Sequence, residues 1–295
     1  MSTSRTRARI DVVGFIGLAI AMVTLLMGLR LASTAGFSAP STVLTLAAAF
    51  VVFTLWVVWE LRTTHPAVDV RLVVSRRLGP IYLTAFLFGA VMFGTQAPTT
   101  TFLSADRAAT GYGFTATPSV ASGVIAVVTI LATAGAAAFA PLARRVGIRT
   151  VLLIGALTAA AGQLVQIAFH DQLWQIYGVS AISGFGMGIL LGALPALLAE
   201  RAPSEDTAIA TGVYNSLRTL GGAAAGAVFA LVLTSFTTSG SSAASIGGYV
   251  TIWAICAAAF LVSALALATL RIPREPHAAE PANATSVPTA STQES

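Results

Sequence analysis

The stretch of sequence that decides the fold is residues 173–198, which read LWQIYGVSAISGFGMGILLGALPALL. It contains no charged residue, and it lacks the strict alternation of apolar and polar residues that marks a half-buried strand. At a rise of about 1.5 Å per residue, about 20 apolar residues in a helix cross a hydrocarbon core of about 30 Å. We therefore predict a transmembrane helix here, because a helix satisfies its own backbone hydrogen bonds in lipid.

Seven further charge-poor stretches of similar length flank this one. Of the 295 residues, 56% are hydrophobic and only 9% are charged, whereas soluble domains carry about 25% charged residues. The sequence therefore predicts an all-α integral membrane protein with about eight transmembrane helices. The predicted spans are Val12–Leu31, Thr42–Trp59, Ile81–Leu103, Pro118–Phe139, Thr150–Phe169, Leu173–Leu198, Ala208–Leu233 and Tyr249–Leu270.

The arginines predict the orientation. The chain has sixteen basic residues, all of them arginine, and a net charge of +5. With a cytoplasmic N-terminus, the outer loops contain only Arg30 and Arg107, as the positive-inside rule requires. The inner arginines are then Arg5, Arg7, Arg9, Arg62, Arg71, Arg76, Arg77, Arg144, Arg145, Arg149, Arg201, Arg271 and Arg274. Topology thus explains the basic charge without a nucleic-acid partner, and we expect a multi-pass protein of the cell (inner or plasma) membrane with both termini cytoplasmic.

The spans divide into two helices followed by six. The longest inner connection, residues 60–79, separates the first two spans from the rest. The last six form two triplets with short loops, the 3+3 inverted repeat of a secondary-transporter half. We expect residues 1–79 to hold a basic N-terminus, two extra helices and a cytoplasmic linker. Residues 80–272 would form the six-helix half, and residues 273–295, rich in Pro, Ala, Ser and Thr, a disordered cytoplasmic tail.

The first span of each triplet carries several glycines and a proline. Interruptions in corresponding helices point to the binding site of a transporter. Alternatively, the glycines only allow close helix packing, because Gly184, Gly188 and Gly192 have small-xxx-small spacing. The candidate substrate-path residues in these two spans are Gln96, Pro98, Thr99 and Gly188.

Arg218 is the one charge well inside a predicted span. Thr211, Asn215 and Gly222 share its helical face, which we expect to point into the bundle. An intramembrane arginine is a functional candidate by default, so Asn215 and Arg218 join the candidate substrate path. The alternative is that Arg218 bonds to backbone carbonyls and only supports the structure.

The sequence predicts neither a cofactor nor a metal site. His65, His170 and His277 are far apart, and Cys256 is the single cysteine. The absence of a phosphate-binding loop and of clustered acid, base and nucleophile residues argues against a nucleotide-driven pump and against an enzyme. The spans also lack a central Asp or Glu, the usual carrier of proton coupling.

Several short motifs resemble the major facilitator superfamily, specifically its fourteen-helix drug:proton antiporter branch (EmrB/QacA-type), over residues 9–271. They are RIDVVG at 9–14, ELR at 60–62, HP at 65–66, DVRL at 69–72, YGF at 112–114, LARRVGIR at 142–149, GFGMG at 184–188 and GVYNSLRTLGG at 212–222. Residues 142–149 are similar to the gating loop of the family. Arg145, Gly147 and Arg149 match that loop, whereas Arg144 stands where its strongest form has an aspartate.

The resemblance implies six further helices before residue 9, so that this chain corresponds to the C-terminal portion of a transporter. We expect efflux of amphipathic small organic molecules, cationic ones among them, by proton-coupled alternating access. The partner would be a separate N-terminal half or a second copy. The alternative is a non-transporting remnant or a membrane interaction protein, which the missing acids favour.

Overall fold

The computed structural model describes residues 11–36, 38–63, 75–202, 207–237 and 243–270. The basic N-terminal segment, the middle of the predicted linker and the predicted tail lie outside these residues. The described helices are α1 (Val12–Ala35), α2 (Pro40–Arg62), α3 (Gly79–Gly94), α4 (Gln96–Ser104), α5 (Arg107–Thr110), α6 (Pro118–Val146), α7 (Ile148–Ala168), α8 (Leu173–Arg201), α9 (Thr207–Ser235) and α10 (Ile246–Ala268).

These helices confirm the predicted all-α membrane fold. Within the described ranges, seven stretches are long and apolar enough to cross a membrane: α2, α3 with α4, and α6 to α10. The helix α1 adds a shorter apolar segment, Ile16–Ala32. Large apolar side chains such as Leu44, Phe50 and Leu265 lie more than two-thirds exposed, at 73%, 74% and 70%. Such a surface suits lipid tails rather than water.

Proline and glycine explain several helix boundaries. Pro40, Pro80 and Pro118 lie in the first turns of α2, α3 and α6, where a missing N–H costs no helical hydrogen bond. The turn from α6 into α7 is a single residue, Gly147, with φ +83° and ψ 150°. That backbone conformation is essentially restricted to glycine. The sequence therefore joins two spans with almost no loop.

The two triplets pack on each other reciprocally. The first comprises α3 with α4, α6 and α7, and the second comprises α8, α9 and α10. The two most extensive helix contacts are α3 with α9 and α6 with α8, so the first helix of each triplet packs on the second helix of the other. The inverted relation of the two triplets, the predicted 3+3 repeat, stays a prediction. The extra pair, α1 and α2, packs together, and α1 also contacts α9.

Glycines bring α8 against its neighbours. A Cβ at Gly184 would lie 2.8 Å from the carbonyl oxygen of Val128 in α6, and one at Gly188 would collide with that of Ala132. Pro195 lies inside α8, which continues unbroken to Arg201. The structure thus differs from the expected interruption of this span, because the glycines serve close helix contact while the helix continues through the proline.

Candidate functional site

A cavity of about 260 Å³ lies among α3, α4, α6, α7, α8 and α10. Its walls combine apolar and aromatic side chains with a few neutral polar groups, the usual make-up of a small-molecule site. The lining residues are Phe88, Val91, Met92, Thr95, Gln96, Pro98, Thr99, Val124, Ile125, Val128, Thr129, Ala132, Thr133, Gln163, Gln166, Ile176, Ser180, Ser183, Met187, Leu191, Ile252 and Trp253.

The interruption between α3 and α4 faces this cavity. The helix α3 ends at Gly94, and α4 begins at Gln96 after the single residue Thr95. Pro98 has no N–H, so the Gly94 carbonyl loses the donor that a regular helix would supply. The hydroxyl of Thr95 donates to the carbonyl oxygen of Val91 at 2.7 Å. The interruption thus lies beside Gln96 and the other lining residues of this segment.

A buried polar chain joins α7 to α8 on the cavity wall. The side-chain nitrogen of Gln163 donates to the Ser183 hydroxyl at 3.1 Å. That hydroxyl in turn donates to the sulfur of Met187 at 3.9 Å. Gln163 and Ser183 are only 8% and 6% exposed. These residues give the apolar wall one ordered hydrogen-bonding site.

An aromatic cluster adjoins the cavity at the end of the bundle where α4 and α10 meet. The ring centroid of Phe102 lies 5.3 Å from those of Tyr249 and Trp253, and 5.6 Å from that of Tyr112. Trp253 also lines the cavity. The hydroxyl of Tyr249 donates to that of Thr101 at 3.2 Å. Burial, followed by the neighbouring Tyr249 hydroxyl, raises the pKa of Tyr112, so this loop phenol stays neutral.

A surface ion pair ties the same end together. Arg107 at the start of α5 lies 3.9 Å from a carboxylate oxygen of Asp171 and donates to its backbone carbonyl at 2.6 Å. Both side chains are at least half exposed, so the pair adds little stability by itself. Its effect is to hold the short α5 segment against the α7–α8 loop.

Arg218 lies away from the cavity, in the contact between α3 and α9. Its guanidinium carbon is 5.7 Å from the ring centroid of Phe93 and 5.9 Å from that of Tyr214, within cation–π range. Its Nε atom is buried and has no hydrogen-bond partner among the described residues. Asn215 is exposed on the surface of α9, so the polar face of α9 does not point uniformly into the bundle as expected.

The structure therefore divides the candidate substrate path. Gln96, Pro98 and Thr99 lie together on the cavity wall. Gly188 lies in the α6–α8 contact, while Asn215 and Arg218 belong to α9, which contributes no lining residue.

The candidate gating loop lies at the opposite end of α6. Arg144 and Arg145 are exposed in its last turn. Arg149 donates from its guanidinium to the backbone carbonyl of Ala268, the last residue of α10. The last carbonyls of a helix lack intrahelical donors, so Arg149 satisfies one of them and holds α7 against α10.

Sequence reasoning missed the contribution of α7 and α10 to the cavity. Gln163 of α7 and Trp253 of α10 were not among the candidates, nor was Ser183 of α8. A usable signal was present for Gln163, because an amide in the middle of an apolar span needs a partner. Its position on the cavity wall depends on helix packing.

Nearly all of the chain also matches a known family. The sequence model of the Major Facilitator Superfamily matches residues 7–226 and, in a second overlapping alignment, residues 110–294. The chain belongs to the Major Facilitator Superfamily. This major facilitator is thus a multi-pass membrane protein of a transporter family and not an enzyme.

Curated relatives of this major facilitator include the quinolone resistance protein NorB of Staphylococcus aureus. NorB of strain MRSA252 is 27% identical over 241 residues, which cover 78% of this chain and 50% of NorB. NorB of strain MW2 gives the same identity and coverage. The chain therefore spans about half the length of the curated relatives it matches.

A solved structure shares the fold of this major facilitator. A mutant of the nucleoside transporter NupG superposes with a TM-score of 0.53 at 15% identity, covering 85% of this chain and 66% of that chain. At this identity the likeness concerns the fold alone.

Proposed function

We propose that this major facilitator exports amphipathic small organic molecules by proton-coupled alternating access. It would do so as the C-terminal portion of a fourteen-helix transporter of the drug:proton antiporter branch. The observation that carries the proposal is the cavity beside the α3–α4 interruption, where Gln96 and Thr99 lie in a largely apolar wall. The similarity to NorB, named as a quinolone resistance protein, supports efflux as the direction of transport.

The proposal includes a complementary half. Proton coupling in membrane transporters usually uses an intramembrane acid, and the residues lining the described cavity include no Asp or Glu. We propose that the acid belongs to six further helices, supplied by a separate N-terminal half or by a preceding segment, because a second copy of this chain would bring no central acid. The coverage of only half of NorB agrees with this arrangement. Both termini would lie in the cytoplasm, and the membrane would be the cell membrane.

The experiment is efflux of N-phenyl-1-naphthylamine, a neutral fluorescent amine, from a pump-deficient bacterium that expresses this chain, alone and together with a related N-terminal half. Membrane content is matched by immunoblot, and each strain is measured with and without a protonophore. We expect uncoupler-sensitive efflux only when both halves are present. Efflux by this chain alone would contradict the need for a separate partner.

The second candidate is a membrane interaction protein that does not transport. The absence of an acid from the described cavity lining favours it. It predicts no efflux by this chain alone and none by this chain with the N-terminal half, even though immunoblots show the chain in the membrane. That result would contradict the transport proposal.

A further inference from the structure

The first observation concerns charge. Every residue that lines the cavity is described, and none of them carries an ionised side chain. The nearby histidine, His170, is not a lining residue, and its ring centroid lies 5.3 Å from that of Trp253. Arg218 faces the rings of Phe93 and Tyr214, and none of these three residues lines the cavity. A charged ligand would leave water without gaining a counter-ion here, which is strongly unfavourable.

The second observation concerns the direction of the Gln163 amide. Its nitrogen donates to the Ser183 hydroxyl, whose own proton points to the sulfur of Met187. The amide nitrogen is thus held towards α8. The amide oxygen forms no hydrogen bond with any described residue, while Gln163 itself lines the cavity. The wall therefore offers a hydrogen-bond acceptor that no described residue uses.

The third observation is that the helix contact holds this amide in place. A Cβ on the neighbouring residue Gly162 would lie 2.7 Å from the backbone nitrogen of Ser183. The backbones of α7 and α8 therefore touch beside the hydrogen bond. An acceptor held by such a contact loses little conformational entropy when a ligand binds.

The remaining walls fit a flat apolar group. Phe88 and Trp253 supply aromatic surface, and Met92 and Met187 supply thioethers that suit ring edges. We infer that the cavity binds an uncharged molecule with a flat apolar body and one N–H or O–H group that donates to the side-chain oxygen of Gln163. The inference deepens the proposed function, on which it rests for the ligand being the transported molecule. It replaces the expectation of a cationic substrate for this part of the path.

Three matched probes test the inference. Benzanilide is neutral and carries one N–H, phenyl benzoate replaces that N–H by oxygen, and a trimethylammonium-substituted benzanilide adds a permanent positive charge. Each is titrated calorimetrically into the purified full chain in lipid nanodiscs, with empty nanodiscs subtracted. We expect saturable binding of benzanilide, with phenyl benzoate about five- to tenfold weaker, the usual effect of one hydrogen bond. We expect the ammonium probe to bind at least about tenfold more weakly than benzanilide.

Variants at position 163 test whether the side-chain oxygen of Gln163 accepts the hydrogen bond from benzanilide. Gln163→Leu should weaken benzanilide to the level of phenyl benzoate and leave phenyl benzoate unchanged. Gln163→Glu should raise the affinity for the ammonium probe, because it supplies the missing counter-charge. Thr219→Val changes an exposed residue of α9 outside the cavity, and should leave all three affinities unchanged.

Three results would overturn the inference. They are equal binding of benzanilide and the ammonium probe, an equal loss of both neutral probes in Gln163→Leu, and no saturable binding of any probe. Selective binding without efflux in the two-half experiment would instead contradict the proposed function and leave the inference standing.

Discussion

At the scale of single residues, Gly188 lies where α8 and α6 come closest. A Cβ there would collide with the backbone carbonyl oxygen of Ala132, which cannot rotate away as a side chain can. We expect Gly188→Ala to lower the free energy of unfolding by about 1–3 kcal/mol, the usual cost of overpacking. Gly178 lies in the same helix with nothing within 4 Å of its added Cβ, so Gly178→Ala should be neutral or stabilising.

The single cysteine, Cys256, allows the thermal stability of Gly188→Ala and Gly178→Ala to be compared. Cys256 is fully buried in α10, so a thiol-reactive dye should label it only as the protein unfolds on heating. Gly188→Ala should shift the labelling transition to a lower temperature than the parent and Gly178→Ala. Coincident transitions for the two variants would show that α6 and α8 are not in backbone contact at this position.

Gly147 tests a conformational cost rather than a steric one. Its surroundings are as open as those of Gly178, but its φ is +83°. We expect Gly147→Ala to destabilise the protein by about 1–3 kcal/mol through backbone strain. Loss of helical circular dichroism on heating measures the effect, with Gly178→Ala as the matched control. A melting curve like that of the control would mean that the α6–α7 turn has another backbone conformation.

The sequence supports some residue assignments better than others. Gln96, Pro98 and Thr99 could be selected because a proline and an amide inside an apolar span are locally unusual, and they lie on the cavity wall. The sequence could not decide whether Gly188 lines the cavity or allows close helix packing, because a glycine fits both roles. Arg218 was selected because of its charge, yet its guanidinium lies against the rings of Phe93 on α3 and Tyr214 on α9. Only the tertiary contacts separate these cases.

At the scale of elements, Pro98 maintains the separation of α3 from α4. Pro98→Ala supplies an N–H that can donate to the Gly94 carbonyl, so we expect one continuous helix over residues 79–104. The restored hydrogen bond should raise stability by about 1 kcal/mol. It should also lower benzanilide affinity several-fold, because Gln96 and Thr99 would turn away from the cavity.

Pro195→Ala is the control for Pro98→Ala, because Pro195 already lies in a continuous helix. It should leave benzanilide affinity unchanged in the same titration. Unchanged affinity in Pro98→Ala would show that the interruption does not position the lining residues.

The positions of the spans could be predicted to within about four residues, because lipid and water select different compositions, except that α6 continues seven residues beyond the predicted Phe139 to Val146. Whether a helix-breaking residue interrupts its helix could not be predicted. The same kind of pattern gives an interruption after Gly94 and a continuous helix through Pro195. The glycines of α8 contact the backbones of α6 and α7, and such contacts depend on distant segments of the chain.

At the scale of the whole molecule, the arginine distribution predicts which end faces the cytoplasm. In a Cys256→Ala background, Arg107→Cys lies at the aromatic end and Arg145→Cys lies in the last turn of α6. We expect a membrane-impermeant maleimide to label Arg107→Cys in intact cells and Arg145→Cys only after lysis. The reverse pattern would place the termini outside.

The faces of α8 also bear on how the molecule can evolve. A Cβ at Gly184 or Gly188 would meet the backbone of α6, whereas Ser180 and Met187 line the cavity. Changes of ligand preference can therefore accumulate on one side of a helix while the other side preserves the architecture. Under the proposed efflux function, selection by a new toxic compound should give its first adaptive substitutions at Met92, Ser180 or Met187 and spare Gly184 and Gly188.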